Sequence, residues 1–417
     1  MKFLAPGQRP IYLASAVPLA MVLFLTGPIY SWDLIACWHF FDPTMPIPSP
    51  WAPNDFPMIW SAGHLAVAHA PASAYHFGAL EAFERQHLPD GSITDPWIYP
   101  PPTLLVSMLV GHLALAPAIG IWMIGLNLMS AALLRAAKLP WGVVIACLLT
   151  PAALFASGIG QFSVLIAALF TFTLLRADDA PGRAGFCSAL TMIKPQMALL
   201  GPIILLARRR WRGIIVGALT ASAILIATTL VLGPGIWSTY FHVGAPMSRM
   251  ILDIPFPIFH RQGSHFTYYE FYGTSVFWML RSLDASITLA TIGQIAAALG
   301  ASFYGWQLWR QPAINPIQRA AVTLLLGVLI SPYGFADDLA GYSIAIILLI
   351  WQRQRLEIAD TILLVWPSFL PFVTVALDTE LTPLVVLWAI FRARQDLAPR
   401  TAHATEPAIN PSTGPAS

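Results

Sequence analysis

The sequence predicts an all-α, polytopic transmembrane protein, and three observations carry that reading. Apolar residues fill 57% of the 417 positions and charged residues only 10%, against about 25% charged in a soluble domain. The apolar residues gather into roughly ten to twelve runs near the 20-residue length that crosses a bilayer as a helix. These runs do not alternate, so they do not read as barrel strands.

The first run, 11–30, follows Lys2 and Arg9 and lacks a small-residue cleavage site, so it reads as a retained helix rather than a signal peptide. Segment 31–98 comes next, with Asp33, Asp42, Asp55, Glu81, Glu84, Asp90 and Asp95 against the single basic Arg85. Depletion of Lys and Arg places this first large loop outside the cytoplasm. Within it, 55–70 and 79–87 have the spacing of short interfacial helices.

Further runs cover 99–116, 118–137, 141–158, 161–175 and 185–207, ending at the cationic cluster of Arg208, Arg209, Arg210 and Arg212. After the run 211–232, a second outer segment over 233–284 is crowded with aromatics, as a headgroup-level belt would be. Runs at 285–309, 317–330, 339–351, 359–376 and 381–391 then alternate with Arg310, Arg319, Arg353, Arg355, Arg392 and Arg394, which fixes those ends as cytoplasmic. One membrane domain therefore spans 1–394, and the Pro-, Ala- and Ser-rich tail 395–417 is expected to be disordered and cytoplasmic.

Lys194-Pro195 interrupts the run 185–207. A lysine near mid-membrane costs about 2.5–3.5 kcal/mol on insertion scales, and a proline frees backbone groups there. A broken pair of half-helices resolves both problems and turns Gln161 and Lys194 outward, toward the loop that carries Asp55.

The net charge of +2 and the lack of a basic stripe argue against nucleic acid as a partner. Cys37, Cys147 and Cys187 offer no disulfide framework, and no Asp-x-Asp in the outer loops suggests a metal. Asp55, before Phe56-Pro57, has the form of a helix cap. Asp337 and Asp338, after Ser331-Pro332-Tyr333-Gly334, suit a helix N-terminus, and equally a sugar hydroxyl or a cation.

The order of these motifs is more specific than any one of them. Asp55-Phe56, Trp60-x-x-Gly63, Tyr75, Trp97-x-Tyr99-Pro100-Pro101, Gly160-Gln161, a small-residue helix with Lys194, Arg-Arg-x-Trp and Ser331-Pro332-Tyr333 follow one another in a single polytopic chain. The arrangement, over about 11–351, resembles glycosyltransferase family 87, bacterial membrane enzymes of GT-C architecture that use polyprenyl-phosphate sugars.

The resemblance implies transfer of a hexose or pentose to a hydroxyl of a lipid or glycan acceptor, at the outer face of the bacterial plasma membrane and without a cofactor. Asp55 matches the general base of such enzymes, and inversion needs one base because the lipid phosphate leaves as a stable anion. Lys194, with Gln161, Tyr99, Arg261 and His260, is then expected at the donor phosphate. Trp60, Trp97, Tyr333, Asp337 and Asp338 are expected around sugar and acceptor. Actinobacterial mannosyltransferases of the family tend to carry histidine just after the Ser-Pro pair, where this chain has Tyr333, Asp337 and Asp338; this puts mannose in doubt. A transporter or lipid flippase is the competing reading, against which stand the absence of an internal repeat and the size of the first outer loop.

Overall fold

The computed structural model describes residues 55–88, 95–256 and 273–395. The predicted first helix, Cys37, the tail after 395, and His260 and Arg261 lie outside the described residues. The described chain is all-α and polytopic, and its one β-type contact is an isolated bridge between Gly273 and Phe335.

The helices run α1 (Asp55–Val67), α2 (Phe77–His87), α3 (Pro101–Gly111), α4 (Leu115–Ala136), α5 (Trp141–Leu148) and α6 (Pro151–Gly158). They continue through α7 (Ser163–Arg176), α8 (Pro181–Leu190), α9 (Leu200–Ala207), α10 (Trp211–Leu232), α11 (Gly235–Thr239) and α12 (Ala245–Asp253). The last six are α13 (Val276–Ser282), α14 (Ile287–Arg310), α15 (Pro316–Val328), α16 (Ala340–Arg353), α17 (Ile358–Leu377) and α18 (Thr382–Gln395).

Among the described residues α4, α10, α14 and α17 are long and apolar enough to cross a membrane, and α5 with α6 makes a fifth, bent by 58°. Pro151 begins the second arm of that bend, and a proline there cannot continue the hydrogen-bond ladder of the first. The apolar runs at 99–116, 161–175, 317–330 and 339–351 form helices of only 11, 14, 13 and 14 residues. At about 1.5 Å per residue these fall well short of a 30 Å hydrocarbon core. Most of α7, α15 and α16 is buried in protein instead. Hydropathy reports an apolar surrounding and does not say whether lipid or protein supplies it. By contrast α10 and α14 turn Leu219, Ile226, Leu230, Leu299 and Phe303 outward, as lipid-facing helices do.

Helix α1 departs from the interfacial form expected of it. Most of its residues are buried, because Gly63 and Gly111 let α1 and α3 close to backbone contact: a Cβ on Gly63 would lie 2.2 Å from the Ser107 carbonyl oxygen.

The stretch around Lys194 is the broken pair. Helices α8 and α9 are its two arms, joined by 3-10 turns at Thr191–Ile193 and Pro195–Met197. Both arms start from one charged cluster, in which Asp178, just before α8, binds Arg208 (2.9 Å) and Arg210 (2.8 Å), just after α9, and Arg319 of α15 (2.6 Å). Lys138 and Arg176 bind the neighbouring Asp179 at 2.7 and 2.9 Å. A second group of the same kind joins Arg353 and Arg392 to Asp360. The tip of the hairpin reaches the other end of the bundle, where Thr103 Oγ1 donates to the Ile193 carbonyl (2.8 Å).

Arm α8 packs along α10 through glycines: a Cβ on Gly185 would sit 1.9 Å from the Gly213 carbonyl oxygen. Small residues at such crossings let helices approach closely in membranes. Gly185→Ala is therefore expected to destabilise the protein by about 1–3 kcal/mol or more, as overpacking does. Gly142→Ala, where a Cβ meets nothing within 4 Å, should stay within about 0.5 kcal/mol of wild type. Thermal unfolding in detergent compares the two, and equal midpoints would refute the contact.

Candidate active site

The site forms where α1, the 159–163 loop, the hairpin tip and the 331–338 loop meet. Asp55 opens α1, and the next backbone N–H, of Phe56, donates to the Ile159 carbonyl at 3.1 Å. Gly160 has φ +81°, and a Cβ there would fall 2.4 Å from Phe56 Cβ, so the loop needs glycine on both counts. Trp122 Nε1 donates to the Gly160 carbonyl at 2.6 Å. Pinned from both sides, the loop presents Gln161 and Ser163 inward.

Gln161 is the centre of a buried network. Its Nε2 donates to Asp55 Oδ2 (2.7 Å) and to the Tyr99 hydroxyl (2.8 Å), and its Oε1 accepts from Lys194 Nζ (3.1 Å). Lys194 Nζ also reaches Ser163 Oγ (2.9 Å), Asp337 Oδ2 (2.8 Å) and Asp338 Oδ1 (2.6 Å). The lysine is 3% exposed. An ammonium so deep is tolerated only when paired and fully hydrogen-bonded, and four oxygens meet that condition. Ser163 Oγ lies 3.1 Å from Asp338 Oδ1, and Asp338 Oδ2 accepts from the Phe335 backbone N–H at 3.4 Å.

Asp55, Asp95, Tyr99, Gln161, Lys194, Tyr333 and Asp337 line a cleft of about 670 Å³, part of it open to solvent. Burial pushes the Asp55 carboxyl up to about 8; the charges of Asp337 and Asp95 add to this, and the Gln161 hydrogen bond and Lys194 oppose it. Burial likewise raises Asp338; the ammonium of Lys194 opposes this and the charge of Asp337 adds to it.

Six of the residues singled out from sequence thus share the network: Asp55, Tyr99, Gln161, Lys194, Asp337 and Asp338. Tyr333 lines the cleft, and its backbone N–H donates to Ser331 Oγ at 3.1 Å. The two tryptophans are packing residues. Trp60 is 5% exposed, donates to the Leu113 carbonyl at 2.9 Å and stands apart from the cleft lining. Trp97, 1% exposed, meets the Tyr99 ring edge-on at 5.1 Å and so props the tyrosine. His260 and Arg261 lie outside the described residues.

Sequence reasoning missed Ser163, Asp95 and Phe162. Phe162 lies 5.7 Å from Lys194 Nζ and 5.3 Å from the Tyr99 ring. Proximity in sequence was the available signal, since Phe162 and Ser163 follow Gln161 and Asp95 precedes Trp97 by two residues.

The sequence pattern of glycosyltransferase family 87 matches residues 97–332, more than half of the chain. The matched stretch includes Trp97, Tyr99, Gln161, Ser163 and Lys194; Asp55 precedes it, and Tyr333, Asp337 and Asp338 follow it. No curated protein and no solved structure matches the chain. Carried by that match, and fitting the all-α polytopic fold, this chain belongs to glycosyltransferase family 87.

Proposed function

We propose that this membrane glycosyltransferase moves a hexose or pentose from a polyprenyl-phosphate donor to a hydroxyl of a lipid or glycan acceptor, with inversion, and that Asp55 is its general base. The observation that carries the reading is Asp55 itself: a carboxylate on the wall of a solvent-open cleft, its affinity for a proton raised toward neutral pH by burial. General bases work best with a pKa near the operating pH. In the transfer the acceptor O–H gives its proton to Asp55 and its oxygen bonds to the sugar's anomeric carbon. The bond from that carbon to the phosphate oxygen breaks, and the lipid phosphate leaves as an anion.

Lys194 is the cation nearest the base along the network, and a phosphate beside it would be stabilised as charge develops. Its charge is already shared with Asp337 and Asp338. The phosphate therefore competes with, or sits beside, these carboxylates, which accounts for a lysine kept charged in so buried a place. Basic helix ends gather away from the cleft, which supports an active site facing the outside of a bacterial plasma membrane.

Asp55→Asn in lipid-reconstituted protein is expected to lower transfer at least a hundredfold, tested with a panel of labelled polyprenyl-phosphate sugars. Transfer at the wild-type rate would remove Asp55 from the role. Wild-type transfer should rise with pH about a midpoint near 8, because only the ionised form accepts a proton. The sign for stability is opposite. A carboxyl whose pKa is raised on folding contributes stability that is present below its unfolded pKa and lost as pH rises through the folded one. Asp55→Asn should therefore match wild type in thermal unfolding at pH 4 and exceed it at pH 9.

Lys194→Met leaves two buried carboxylates without a counter-charge and is expected to cost about 3–5 kcal/mol. Adding Asp337→Asn and Asp338→Asn should restore most of the thermal stability without restoring transfer. Full activity in that triple variant would exclude Lys194 from the phosphate.

A further inference from the structure

Gln161 holds a place in the network that donor binding does not explain. Its side-chain amide lies between an ammonium, which can only donate, and a carboxylate oxygen that accepts. That arrangement fixes which way round the amide sits: Oε1 must face Lys194, so Nε2 must face Asp55. The Tyr99 hydroxyl, able to donate or accept, fits this orientation without selecting it. Asp337, Asp338 and Ser163 hold the lysine in turn. Gly160 and Trp122 hold the backbone from which Gln161 projects.

We infer that Gln161 is the positioning residue of the base: it claims Oδ2 of Asp55 and leaves Oδ1 as the one oxygen that takes the acceptor's proton, with Lys194 setting the sense of the amide. A proton on Oδ2 would face an N–H head-on, so a neutral Asp55 carries its proton on Oδ1. Asp337 and Asp338 then serve the base through two intermediaries, by keeping the ammonium charged and in place. Among the described residues the charged and titratable groups that share the cleft with Asp55 are Asp337 and Tyr333 from the 331–338 loop, Asp95 from the loop before Trp97, Lys194 from the hairpin tip and Tyr99, with Asp338 behind Lys194. The inference rests on the general-base reading and deepens it.

The test follows the Asp55 proton without needing a substrate. Difference infrared spectroscopy of the reconstituted protein, taken against Asp55→Asn, isolates the protonated-carboxyl band of Asp55 as pH is varied. Gln161→Met removes the donated hydrogen bond, and the midpoint of that band should rise by about one to two pH units. Gln161→Glu, which adds a like charge, should raise it further. A purely structural role for Gln161 would lower the unfolding temperature without moving the midpoint. Gln161→Asn, shorter by one methylene, reports the same loss should either variant fail to fold. An unchanged midpoint in the folded variants overturns the inference. A shifted midpoint alongside full transfer by Asp55→Asn would overturn the base reading alone.

Discussion

One buried positive charge constrains this protein more than any other feature. Taking an ammonium out of water costs several kcal/mol even after relaxation, and Lys194 recovers it from Gln161, Ser163, Asp337 and Asp338. Those partners come from two chain segments, and the lysine sits on a third. Each must arrive within a few tenths of an ångström for the hydrogen bonds to form. Much of the architecture serves that convergence: the glycine seam between α8 and α10, the Asp178 cluster that gathers both arms of the hairpin, and the tryptophan that pins Gly160.

The same charge shapes the electrostatics of the cleft. Among the described residues the charges of Asp337 and Asp95 outweigh at Asp55 that of Lys194, which Asp337 and Asp338 hold, so the field they make there is negative. A carboxyl buried in such a field keeps its proton to higher pH than one in water. Asp55 is therefore set apart by its neighbours as much as by its own burial. Asp337, 8% exposed and on the cleft wall, contributes both to holding Lys194 and to raising Asp55.

Those parts of the site that break a local rule were legible in the sequence. Lys194 followed by proline inside an apolar run is expensive in any straight helix, and the broken pair follows from that cost. Asp55-Phe56-Pro57 reads as a helix start, and α1 begins there; in the folded chain the carboxylate bonds Gln161 instead of an amide of its own first turn. What the sequence leaves open is which groups face one another. Ser163 looks like any first-turn serine until Lys194, 31 positions away, is placed against it. Trp60 and Trp97 read as sugar-facing aromatics, yet each goes to packing, because an indole fills space and needs one hydrogen-bond partner at most. The short helices inside the bundle were read as full spans because burial in protein and burial in lipid select the same side chains.

The Asp178 cluster also bears on the order in which the chain is built. Two of its arginines lie about 30 positions downstream, but Arg319 lies 141 away. Asp337, which balances Lys194 at the other end of the same hairpin, lies 143 away. While a ribosome is still making the chain, the hairpin has its arms but neither its third clasp at the base nor the carboxylates at its tip. Until α15 and the loop after it emerge, Lys194 is a cation without its acidic partners. A chain cut short before residue 337 would hold most of its helices and the Asp55–Gln161–Lys194 series, but neither carboxylate that balances the lysine.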